Sequence, residues 1–211
     1  MKITAIIFDF DGTLFDTEAF YCGNFVQTMK KYGVICDKDD IKYFHGLGPS
    51  EKIHYIEEKY NVIIDEKEAE DSYRKLNRDT FPPAEKLLFE DVIETLEYCK
   101  TKGYKLFICS NTDSYRVREL LEEAKISFYF DGISGKDMCK VRKPSKVPYS
   151  FLLDHFGLRK EETVAIEDSS GGVYSAMAAG IQTIGLCRIM DPSELKADHC
   201  IKSLTELKEL L

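Results

Sequence analysis

An apolar run that stops abruptly at two carboxylates constrains this chain most. Ile3-Thr4-Ala5-Ile6-Ile7-Phe8 is followed at once by Asp9-Phe10-Asp11-Gly12-Thr13. The run is too short for an ordinary helix and too apolar for a loop. It predicts a strand buried on both faces, at the centre of a parallel sheet. Carboxylates at the edge of a core are costly unless paired or metal-bound, and open α/β sheets bind ligands at the carboxyl ends of their strands. The stretch therefore predicts a cation held by Asp9 and Asp11, with Gly12 turning the backbone sharply beneath it.

The remainder of the chain supplies a helical block and then the rest of a sheet. Asp16-Thr17 can cap a helix to about Lys31. From there to Pro82 the pattern is helical with no strand. Gly46-Leu47-Gly48-Pro49 punctuates the block, Ser50 is placed to cap a helix to Tyr60, and Asp65 to Asp79 is a charged, solvated helix. Phe81-Pro82-Pro83 reads as a return linker. Then strands and helices alternate. Helices are predicted over Leu87–Lys102, on to about Ala124, over Pro144–Phe156, Gly171–Ala179 and Ser203–Leu211. Strands are predicted over Tyr104–Cys109, Phe128–Ile133, Thr163–Ile166 and Ile181–Leu186. Such alternation implies right-handed crossovers and an α/β fold: a Rossmann-like parallel sheet core from 1–16 and 83–211, with a small helical cap domain, 17–82, inserted after the first strand.

Composition excludes several classes. A net charge of -8 and the lack of a basic stripe speak against nucleic acid as a partner. No run approaches the length of a membrane span, and the amino-terminal run is too short for a secretory signal. Seven cysteines, odd in number and without a C-x-x-C pair, point to reduced thiols in a cytoplasmic protein. The four histidines, His45, His54, His155 and His199, lack ligand spacing. No signal fixes an oligomeric state.

Three predicted strands end in polar clusters: Asp9-Phe10-Asp11, Ser110-Asn111 and Glu167-Asp168-Ser169. Lys143 opens a helix in Arg142-Lys143-Pro144. In a parallel sheet these clusters share one edge. Hard oxygen donors without histidine favour Mg²⁺ over zinc, and a metal, a lysine and strand-end donors suit a phosphoryl group.

Asp9-Phe10-Asp11-Gly12-Thr13, Ser110-Asn111, Lys143-Pro144 and Glu167-Asp168-Ser169-Ser170-Gly171-Gly172, in that order, resemble the four motifs of the haloacid dehalogenase superfamily. The helical insertion after the first motif resembles its type 1 cap, closest to the branch of β-phosphoglucomutase and phosphoglycolate phosphatase. The resemblance implies a Mg²⁺-dependent phosphatase acting on a small phosphorylated metabolite. Asp9 is then the nucleophile that forms an aspartyl-phosphate, and Asp11 the acid and base. Asp9 and Asp168 bind the metal through side chains, Asp11 through its carbonyl, and Glu167 sits beside it. Ser110, Asn111 and Lys143 hold the phosphate. The third motif departs from the family's Gly-Lys-Pro: Arg142 replaces the glycine, and Lys140 and Lys146 compete with Lys143 for the role. A phosphosugar mutase is the alternative within the branch, and a non-catalytic binding protein the alternative outside it. The cap's turn, Gly46-Leu47-Gly48-Pro49-Ser50-Glu51, lacks the arginine with which that branch takes a distal phosphate, which favours hydrolysis.

Overall fold

Ala5–Phe8 forms β1, with all four residues buried. In the computed structural model, which describes residues 2–44 and 46–211 and so leaves the reading of His45 outside the described residues, β1 lies inside a six-stranded, all-parallel sheet. The other strands are β2 (Lys105–Cys109), β3 (Gly132–Ser134), β4 (Thr163–Glu167), β5 (Gln182–Leu186) and β6 (His199–Ile201), in the order β3-β2-β1-β4-β5-β6. The order reverses at β1, so β1 runs between two strands that come much later in the chain. Phe8 stands opposite both Ile108 and Ile166, which brings the carboxyl ends of β1, β2 and β4 level.

The chain divides into two compact units, Thr17–Pro82 and Met1–Asp16 with Pro83–Leu211. The helical unit holds α1 (Thr17–Met29), α2 (Lys38–Tyr43), α3 (Pro49–Tyr60) and α4 (Glu66–Thr80). Phe25, Met29, Phe44, Ile53, Ile56 and Tyr73 fill its core. Gly48, not Ser50, caps α3. Pro49 takes the first helical position, where a missing N–H costs nothing, and the Glu51 carboxylate accepts the Gly48 N–H at 2.8 Å. Lys52 is buried, with its ammonium 5.9 Å from the Phe25 ring and 6.0 Å from that of Phe44.

In the sheet unit the remaining helices are α5 (Val92–Thr101), α6 (Ser114–Glu123), α7 (Val147–Phe156), α8 (Ser170–Ala178), α9 (Pro192–Leu195) and α10 (Leu207–Leu210). Four expectations shift here. The stretch 87–91 is not helical, because its backbone pairs with the first motif's turn: Asp16 N–H donates to the Leu87 carbonyl at 2.7 Å and Phe89 N–H to that of Leu14 at 3.1 Å. The helix expected from Pro144 begins at Val147, after a turn closed by Ser145 N–H on the Arg142 carbonyl. The strand expected over 128–133 shrinks to β3, preceded by a 3₁₀ turn over Ser127–Tyr129. β6 and α9 were not anticipated; β6 is an edge strand of three residues with only Ile201 buried, too short to print a period. The seven cysteines are free thiols, and no helix of the described residues is long and apolar enough to cross a membrane.

The helical unit depends on one buried carboxylate. Asp40 is fully buried and accepts from Lys59 Nζ at 2.6 Å, Tyr60 OH at 2.5 Å, Tyr55 OH at 2.9 Å and the Asp37 N–H at 2.7 Å. Burial pushes its pKa up, but these donors outweigh burial and bring it down to about 2. With an unfolded value of about 3.9, Asp40 contributes stability above about pH 4 that fades as pH falls towards 2. Asp40→Asn should lower stability at neutral pH by about 2–3 kcal/mol and flatten the acid limb. Denaturant titrations of both proteins from neutral pH into the acid range measure this; an unchanged acid limb would contradict it.

Candidate active site

The level strand ends bring the polar clusters together. Asp9 follows β1 and donates its N–H to the Ile166 carbonyl at 2.9 Å, which sets it beside Glu167 and Asp168 at the end of β4. Cys109 ends β2 and leads into Ser110, whose N–H is held by the Ser134 carbonyl. Lys143 comes from the connection before α7. Its Nζ donates to Asp9 Oδ1 at 2.6 Å, Glu167 Oε1 at 2.6 Å and the Cys109 carbonyl at 2.7 Å. Three strand ends thus share one ammonium.

The electrostatics follow from burial. Asp9, Glu167, Asp168 and Lys143 are all buried. Burial, opposed by the Lys143 ammonium and reinforced by Glu167, Asp168 and Asp11, holds the Asp9 carboxyl well above the usual carboxylate range. Burial alone would discharge Lys143, but Asp9 and Glu167 outweigh it and keep its pKa above the usual lysine value. Cys109 beside them is inert, its thiol pushed up to about 12 by burial.

The donor set fits a hard divalent cation. Asp9, Glu167 and Asp168 each offer an oxygen within 4.8 Å of the others. Glu167 gives Oε1 to Lys143 and to the Tyr149 hydroxyl, at 2.6 Å each, while its buried Oε2 has no hydrogen-bond partner. Two glycines make the crowding feasible. Gly12 sits at φ +81°, and a Cβ there would overlap the Asp168 carboxylate; at Gly172 it would overlap that of Glu167.

Comparison with known proteins now decides the family. The sequence pattern of the haloacid dehalogenase-like hydrolases matches residues 6–186. The chain belongs to that family. A phosphorylated carbohydrates phosphatase from Thermotoga maritima is 30% identical over 211 residues, covering 98% of this chain and 96% of its own. The pyrophosphatase PpaX of Oceanobacillus iheyensis is 27% identical, covering 100% and 96%. Among solved structures, one described as a predicted phosphoglycolate phosphatase from Haemophilus somnus shares the fold with a TM-score of 0.82 at 21% identity, covering 100% of this chain and 98% of that one.

In this haloacid dehalogenase-like hydrolase Asn111 has a structural task that its motif does not announce. Its side chain accepts the Lys143 N–H at 3.0 Å and donates to the Lys143 carbonyl at 3.2 Å, bracing the lysine's backbone. Ser110 Oγ accepts the Thr112 N–H at 2.9 Å and points to Asp11 Oδ2 at 3.3 Å. Sequence reasoning missed two residues. Tyr149 steadies Glu167 from α7, where a tyrosine in an apolar helix looks like core. Thr112 donates its hydroxyl to Asp11 Oδ2 at 2.7 Å, two residues beyond the motif's serine. Lys140 and Lys146 are exposed, where Lys143 is buried. Lys143→Ala should therefore lower turnover about a hundredfold, with Lys140→Ala and Lys146→Ala close to wild type. Steady-state rates of the three variants on one phosphate ester check the assignment, and comparable losses would refute it.

Proposed function

We propose that this chain is a Mg²⁺-dependent phosphatase that hydrolyses small phosphorylated metabolites, sugar phosphates or phosphoglycolate-like esters, through an aspartyl-phosphate on Asp9. One observation carries the reading: a buried lysine joins Asp9 to Glu167, with Asp168 alongside, at the carboxyl edge of a parallel sheet. The family match supports hydrolysis as the reaction. The relative named for phosphorylated carbohydrates supports the substrate class.

The residues divide the work by their surroundings. An Asp9 carboxylate oxygen attacks phosphorus. Asp11 gives a proton to the leaving oxygen and then takes one from the water that frees the phosphate. Lys143 offsets charge on the phosphoryl oxygens as a point charge beside the nucleophile, with the Ser110 hydroxyl and the Asn111 N–H as further donors. Asp9, Asp168 and Glu167, with the Asp11 carbonyl, would hold the cation, which supplies charge neutralisation where nucleophile and phosphate would otherwise repel. The all-oxygen donor set supports Mg²⁺ as that cation. Water rather than a sugar hydroxyl is the final acceptor, because the cap turn 46–51 offers no arginine for a second phosphate.

Asp9→Asn keeps the shape of the side chain and removes the nucleophile, so turnover should fall at least about a thousandfold while the folded state persists. Chelation should abolish wild-type activity and added Mg²⁺ restore it. A screen of phosphorylated metabolites with release of inorganic phosphate is the direct assay. Supplying β-glucose 1-phosphate with a trace of the bisphosphate tests the acceptor: glucose 6-phosphate forming faster than inorganic phosphate would make the enzyme a mutase.

A further inference from the structure

The two oxygens of Glu167 meet unlike surroundings. Oε1 accepts from Lys143 Nζ and from the Tyr149 hydroxyl, each at 2.6 Å, while Oε2 is buried with no hydrogen-bond partner among the described residues. Lys143 has no hydrogen to spare for Oε2. An ammonium carries three, and Asp9 Oδ1, Glu167 Oε1 and the Cys109 carbonyl take them. Gly172 lies against the same carboxylate, where a Cβ would stand 1.8 Å from Oε2. Tyr149 is fully buried in α7, and Lys143 Nζ stands 5.3 Å from the centre of its ring. One short segment, 143–149, thus delivers two donors to a single oxygen of the last residue of β4.

From this geometry we infer that Tyr149 is a positioning residue for the cation, acting through Glu167: its hydroxyl fixes Oε1 and so reserves Oε2 for the metal. The inference rests on the phosphatase reading above, with Glu167 among the cation's ligands. Held by the ammonium alone, the carboxylate would swing about its last side-chain bond and offer either oxygen to Lys143. A second donor on Oε1 removes that freedom. The exchange would then break two hydrogen bonds at once and leave a buried phenol without its acceptor. Oε2 stays available to an incoming cation. Partners that orient a ligand in this way set metal affinity without touching the metal. The segment that carries both donors is itself braced at two points. Asn111 brackets the backbone of Lys143, and the Ser175 hydroxyl of α8 donates to the Ser145 carbonyl at 2.5 Å.

Phenylalanine keeps the ring and removes only the hydroxyl, so the test is a calorimetric titration of the whole chain with Mg²⁺, without substrate. Tyr149→Phe should raise the dissociation constant for Mg²⁺ about tenfold. The Mg²⁺ needed for half-maximal hydrolysis of one phosphate ester should rise with it. Calorimetry reads the affinity of folded sites apart from their number, so partial unfolding lowers the stoichiometry and leaves the affinity. Glu167→Gln should weaken Mg²⁺ binding as well. Because Tyr149 acts through that carboxylate, the double variant should lose less than the two single losses combined. An unchanged affinity in Tyr149→Phe, a tighter one, losses that add in the double variant, or a Tyr149→Phe chain that does not fold would overturn the role of Tyr149. A wild type that binds Mg²⁺ yet hydrolyses no compound of the metabolite screen would overturn the phosphatase reading and leave that role standing. A wild type that takes up no Mg²⁺ would overturn both.

Discussion

The Lys143 ammonium is the contact on which the sheet unit's working edge depends. It bridges Asp9 and Glu167 at 2.6 Å each and caps the last carbonyl of β2. A buried ion pair gains little over a well-packed apolar alternative, because removing the charges from water costs nearly what their attraction returns. Its hold lies in what happens when one member goes: the others remain buried without compensation. Asp9, Glu167 and Lys143 therefore persist together or not at all. Each stands on a different segment, so the pair of bridges also fixes β1, β4 and the 140–146 connection relative to one another. Tyr149 and Asn111 extend the arrangement, one from α7 to Glu167 and one to the backbone of Lys143 itself.

What was legible in the sequence was whatever had a period or a strong local motif. β1 announced itself because six residues of one character end at Asp9, and the sheet followed from the alternation after Pro83. The stretch 87–91 misled because Leu88 and Phe89 stand four positions before Val92 and Ile93 and so extend the pattern of the following helix, while its backbone is recruited by Leu14 and Asp16, more than seventy positions earlier. Local propensity cannot see a partner at that distance, and tertiary pairing overrides it. β6 failed for the opposite reason, since three residues carry too little pattern to register.

The candidate site shows the same division. Its carboxylates were readable because acid at the end of an apolar strand demands a partner or a metal. Lys143 was one of three lysines within seven residues, and only the folding of 140–146 decides which is buried and which are left in water. Thr112 was invisible, because a threonine opening a strand-to-helix turn is an ordinary turn residue until its hydroxyl is found against Asp11. The supporting residues of a site are set by packing, and packing is what a single sequence displays least.

Asp9 and Asp11 illustrate how one short strand end can give two like side chains unlike work. They stand two positions apart, just past the end of β1, with a bend at Phe10 between them. Phe10 between them is fully buried and stacked on Phe15 at 4.7 Å, which pins the backbone that joins the two. Asp9 lies on the side of the ammonium and the other carboxylates, where burial and the neighbouring acids disfavour its charge and the Lys143 ammonium opposes them. Asp11, two residues further along and next to Gly12, accepts from hydroxyls of Ser110 and Thr112, just past the end of β2. Hydroxyls orient a carboxyl without bringing a countercharge to it. The division of labour proposed for these identical residues therefore has a physical basis: β2 and β4 flank β1 on opposite sides, and Asp9 meets an ammonium and carboxylates where Asp11 meets hydroxyls.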